Sequence, residues 1–170
     1  MGMKGLTSLW KAFRTICIVQ LILVAFKGML SFREVFGQAN VLVGIINIIA
    51  YAVMFIFVYH GLSMLNYNYP DVPLSSKQKR WFNILYLLNF ILIAFLFAQV
   101  VNDWWMVPFV FDMASISSNK GAWLYVAALV LISWFIFIIH FIFLAGMFRL
   151  RRVIYENTIT TWYNQFDQKP

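Results

Sequence analysis

The sequence predicts an all-α, polytopic membrane protein with four transmembrane helices, arranged as a tandem duplication of a helical hairpin. Three observations predict it: a composition that is 63% hydrophobic and only 11% charged, four apolar runs of membrane-spanning length, and a near-repeat that relates the first half to the second. A soluble core of this size would need a charged surface, and the chain has too few charged residues to build one. Barrel strands would alternate with period two over about ten residues, whereas these runs are apolar on every face.

The first span is expected over 12–32, where a basic start (Lys4, Lys11, Arg14) leads into an unbroken apolar stretch. No small-residue cleavage site follows, so this stretch reads as a retained helix and not as a removed signal. The second span is expected over 41–65 and ends near His60. A turn with Pro70 and Pro73 follows, then Ser75 and Gln78 at capping-box spacing, which open the third span over 81–101. An outer connection from Asn102 to Gly121, containing Pro108 and the anchor-like pair Trp104 and Trp105, leads to the fourth span over 122–148. The expected organisation is a first hairpin over 1–66, an inner loop over 67–79, a second hairpin over 80–149 and an inner tail over 150–170.

Charge sets the orientation. Lys4, Lys11 and Arg14, then Lys77, Lys79 and Arg80, then Arg149, Arg151 and Arg152 all fall on one side of a four-span chain. The other side has Arg33 and Lys120 beside Glu34, Asp103 and Asp112. The positive-inside rule therefore places both termini in the cytoplasm of a bacterial inner membrane, or in the matrix of an organelle inner membrane. The net charge of +7 is a topology signal, and with no folded polar surface to cluster it, nucleic acid is not an expected partner. The single cysteine, Cys17, excludes an intramolecular disulfide and any multi-cysteine metal centre made from this chain alone.

The repeat is carried by FIFVYH at 55–60 and FIFIIH at 135–140, which end in the only two histidines. Residues 11–26 also align without a gap on 80–95, matching Phe13 to Phe82, Ile22 to Ile91, Leu23 to Leu92 and Gln20 to Asn89. If the hairpins are copies related by an axis along the membrane normal, His60 and His140 face that axis at one depth. Counting inward from the basic boundary supports the depth of three of the polar groups. Gln20 lies nine residues past Lys11, Asn89 nine past Arg80 and His140 nine before Arg149, about 13 Å into the inner half of the bilayer.

A layer of Gln20, Asn89, His60 and His140 in an apolar bundle is expected to face inward, to pair or to bind something. The sharpest expectation is one b-type haem held by His60 and His140 as axial ligands, with His60 and His140 contacting metal only through the haem iron and with quinone as an electron partner in the membrane. The plainer expectation is that the amides hydrogen-bond the imidazoles and fix helix register. A proton relay ranks lower, because no span centre offers an Asp or Glu. In architecture alone the chain resembles the small four-helix haem-bearing anchors of respiratory complexes; no residue motif ties it to one of them, and members with two haems need four histidines.

No phosphate loop, zinc motif or nucleophile–base set is present, so a non-catalytic subunit is expected in preference to a lone enzyme. The expected role is thus a structural or anchoring subunit that packs against other membrane protein subunits and lipid, with electron transfer through haem as an added role. A transporter or channel component is the alternative, although none of the spans shows the Gly or Pro interruption of a substrate-binding broken helix.

Overall fold

The structure is a computed structural model that describes residues 7–36, 41–116 and 120–167. It contains four long helices, α1 (Ser8–Phe36), α2 (Val41–Ser63), α3 (Ser76–Ile116) and α4 (Lys120–Asp167). All four are long and apolar enough to cross a membrane. The chain is an all-α, four-helix integral membrane protein, as composition and run length predict. Helices form here because lipid offers the backbone no hydrogen-bond partner, so each segment satisfies its own N–H and C=O groups.

The helices run alternately up and down in a square. Helix α1 packs on α2 and α4, and α3 packs on the same two neighbours, so α2 and α4 face each other across a diagonal. Helices α1 and α2 approach closely where Gly44 meets Val35 and Ser31: a Cβ on Gly44 would lie 2.6 Å from Val35 Cγ2 and 3.1 Å from its backbone nitrogen. Small residues at such crossings let backbones approach when no hydrophobic force drives helices together in lipid.

Two apolar clusters fill the interior. The outer one gathers Val24, Tyr51, Met54, Leu96 and Ile136 from all four helices. The inner one is larger and holds a chain of rings that crosses the whole bundle. Phe13 of α1 stacks on Phe143 of α4 at 5.9 Å, Phe143 meets Phe57 of α2 edge-on at 5.4 Å, and Phe57 meets Phe82 of α3 at 5.8 Å. Edge-to-face and offset pairs at these separations are the favoured aromatic geometries.

At the inner end α2 widens into a π-helical turn, Met64–Asn68, before the loop that leads to α3. The predicted capping box forms: Ser75 N–H donates to Gln78 Oε1 at 2.8 Å, and Gln78 N–H donates to Ser75 Oγ at 3.2 Å. The loop also receives the start of α1 and the late part of α4. Trp10 packs on Tyr69 at 5.5 Å, Asn157 Nδ2 donates to the Pro70 carbonyl at 3.0 Å, and Thr158 Oγ1 donates to the Asp71 carbonyl at 3.2 Å. The start of α1 and the late part of α4 therefore lie at one end of the bundle. That end also carries Lys11, Arg14, Lys77, Lys79, Arg80, Arg149, Arg151 and Arg152; Lys4 and the side chains of Arg33, Glu34, Asp103 and Lys120 lie outside the described residues.

One connection differs from expectation. The outer segment from 102 is not a loop: α3 continues through Pro108 to Ile116, and α4 starts at Lys120. Proline removes one backbone donor, and Pro108 is exposed, so its neighbours' freed groups are not stranded in a core. The tail after 153 continues as helix to Asp167, with the i,i+4 pair Arg152–Glu156 at 2.7 Å on its surface. At 48 residues α4 is about 72 Å long, more than twice the hydrocarbon core it crosses.

Candidate functional site

The polar residues inside the spans are placed by the faces of their helices. On α1 the buried positions Phe13, Cys17, Gln20 and Val24 recur every three or four residues, one stripe of a 3.6-residue helix. On α4 the corresponding stripe is Ile136, His140, Phe143 and Met147. The two stripes face each other, and Gln20 Nε2 lies 3.2 Å from His140 Nδ1 with both residues fully enclosed. With the amide nitrogen as donor, Nδ1 accepts and the ring proton sits on Nε2. The His140 ring also stacks on Phe143 at 5.8 Å, which fixes its plane.

Asn89 is equally enclosed on α3, but its Nδ2 donates to the Leu85 carbonyl of its own helix at 2.7 Å and takes no part in the Gln20–His140 pair. His60 is only half-buried. Its direction follows from Tyr51, whose Cβ lies 3.7 Å from a Cβ built on Gly28 and which therefore faces α1. Nine residues separate Tyr51 from His60, two and a half turns, so His60 points away from α1. The α2 residue directed at α4 is the next one, Gly61: a Cβ there would lie 2.6 Å from Met147 Sδ and 3.1 Å from Phe143 Cε2.

The two histidines thus do not face a shared axis. His140 turns to α1 and His60 turns from it, about 100° around α2 from the face that meets α4. The diagonal between α2 and α4 is filled by Phe57 and Phe143, whose rings touch, and by Met147 lying against Gly61. A macrocycle ligated by both imidazoles needs that slot, and these residues do not fit it. Among the described residues no group of three His, Cys, Asp or Glu side chains is placed to hold a metal ion either.

Among the described residues, four buried side-chain atoms lack a hydrogen-bond partner: Gln20 Oε1, His60 Nε2, Asn89 Oδ1 and His140 Nε2. Each costs about 1–3 kcal/mol relative to a satisfied group. These are the four polar residues that the sequence marks, and their chemistry is hydrogen bonding. Among the described residues none of the four bonds a carboxylate that could move a proton.

A second polar bridge was not singled out in the sequence. Gln99 Nε2 on α3 donates to Asn47 Oδ1 on α2 at 2.9 Å, in the outer half of the bundle. Its signal was available, since each is an isolated amide inside an apolar run. No protein-family model, curated protein or solved structure matches the chain.

Proposed function

We propose that the chain is a structural, anchoring subunit of a larger membrane assembly, with both termini on the cytoplasmic or matrix side. The observation that carries this reading is the closed interior: rings from all four helices meet in one chain across the bundle, and Gln20, Asn89 and His140 outward of it are fully enclosed. An interior packed this way favours a fixed shape over a solute path or a cofactor slot. Interhelical hydrogen bonds in membranes contribute about 0.6–2 kcal/mol each, enough for Gln20–His140 and Gln99–Asn47 to hold register. What the molecule offers to partners is its outside, above all the long helices α3 and α4 with exposed Trp105 and Trp162. The same reading treats the α1–α2 and α3–α4 hairpins as tandem copies, supported by the aligned residues of 11–26 and 80–95.

Photo-crosslinking tests the reading. A benzophenone amino acid in place of Trp105 or Trp162 is expected to form adducts with another membrane polypeptide in native membranes. The same groups placed at lipid-facing Ile22 should not. A chain that runs as a lone monomer in mild detergent, gives no adducts and supports solute flux in liposomes overturns it. The purified protein is expected to show no Soret band; a band lost on His60→Ala and on His140→Ala would restore the haem reading.

A further inference from the structure

At the inner end of the bundle, where α3 begins and α4 leaves the apolar layer, a groove of about 510 Å³ runs along α4 from Phe148 to Ile159. Leu74 and Ile154, both buried, form its floor, and the exposed Phe148 and Tyr155 flank it. Three cations line it: Lys79 from α3, Arg151 and Arg152 from α4. Arg151 is held in place, bonding Asn83 Oδ1 at 2.5 Å with its guanidinium 4.7 Å from the centre of the Phe82 ring. Arg152 uses its Nε on Glu156 at 2.7 Å, which leaves its two terminal nitrogens without a bond among the described residues. Lys79 is exposed, and among the described residues its ammonium has no ion pair. Neither Glu156 nor Asp71 lines the groove, so its charge is positive.

We propose that this groove binds one anionic glycerophospholipid of the inner leaflet, its phosphate between Lys79 and Arg152 and an acyl chain along Phe148. The depth fits, because Phe148 directly precedes Arg149, the first of the basic residues that mark the inner boundary. Basic pockets between helices on this side of a membrane suit such headgroups, and each Lys or Arg near an anionic surface adds roughly fivefold to binding. A free phosphate would use the cations but not the exposed apolar flank at Phe148. An acidic peptide would not need a groove that opens onto lipid-facing Phe148, 60% exposed. This site stands independently of the anchoring role.

The test is native mass spectrometry of the full chain titrated with dioleoylphosphatidylglycerol, with dioleoylphosphatidylcholine and with inorganic phosphate. Phosphatidylglycerol is expected to bind about tenfold more tightly than phosphatidylcholine. Lys79→Gln should lower that preference several-fold, and Lys79→Gln with Arg152→Gln should abolish it. Both single positions are exposed and outside the packed interior, so the variants keep their fold, which circular dichroism checks. Arg14→Gln with Lys77→Gln removes two charges from the same end but outside the groove and should keep the preference. Equal affinity for the two lipids, equal loss in that control, or displacement of the lipid by inorganic phosphate at matched concentration would each overturn the proposal.

Discussion

At the scale of single residues, the four polar side chains of the spans separate into groups with opposite expected responses. Gln20 bridges two helices through His140, so Gln20→Leu removes an interhelical bond and should cost about 0.6–2 kcal/mol in reversible unfolding from mixed micelles. Asn89 bonds only its own helix and leaves Oδ1 unpartnered, so Asn89→Leu should be neutral or stabilising. A cost for Asn89→Leu as large as that for Gln20→Leu would mean that Asn89 crosses to a partner. The glycines allow a second comparison. A Cβ on Gly61 would press on Met147, whose flexible end can give way, whereas one on Gly146 would enter the ring of Phe13, which is buried and stacked on Phe143. Gly146→Ala should therefore cost about 1–3 kcal/mol, and Gly61→Ala less, by the same unfolding measurement. Equal costs would show that Phe13 yields as easily as methionine.

At the scale of elements, what was legible in the sequence was whatever local rules decide. Span positions follow from apolar length, and the start of α3 follows from a capping box whose partners are three residues apart. Ser75→Ala should destabilise that end by about 1 kcal/mol, and Gln78→Ala should do more, because Gln78 Nε2 also donates to Asn68 Oδ1 at 3.3 Å and ties the loop down. Equal effects would show that the Asn68 link carries no weight. The outer end of α3 was not legible, because its apolar run stops near 101 and Pro108 follows. A helix in water tolerates exposed polar residues, and a proline costs it one donor. Helix α3 runs on to Ile116 and α4 begins at Lys120. Trp104, beyond the expected end of the third span, packs against Trp134 of α4 at 5.9 Å. The facing of the histidines was not legible, because helix rotation is decided by neighbours. Gly61, small enough for Met147 and Phe143 to close on, turns α2 so that His60 points elsewhere.

At the scale of the whole molecule, the placement of Trp10 of α1 and of Asn157 and Thr158 of α4 beside the 69–75 loop makes topology testable with the chain's own chemistry. The one native cysteine, Cys17, is fully enclosed in the inner cluster and should stay silent to a membrane-impermeant maleimide while the protein is folded. Single cysteines can therefore be introduced without removing it. Lys77 and Thr160, both exposed, lie at the end that holds the basic residues, and Asn102, also exposed, lies on the far side of the α3 span. If the basic end faces the cytoplasm or matrix, Asn102→Cys labels in intact cells or sealed organelles, while Lys77→Cys and Thr160→Cys label only after the membrane is opened. The reverse pattern would turn the protein over and defeat the charge argument, leaving the fold in place. Labelling of Lys77→Cys and Thr160→Cys from opposite sides would be the more serious result, since α3 and α4 would then not both cross, and a bundle closed by rings from all four helices could not exist in the membrane.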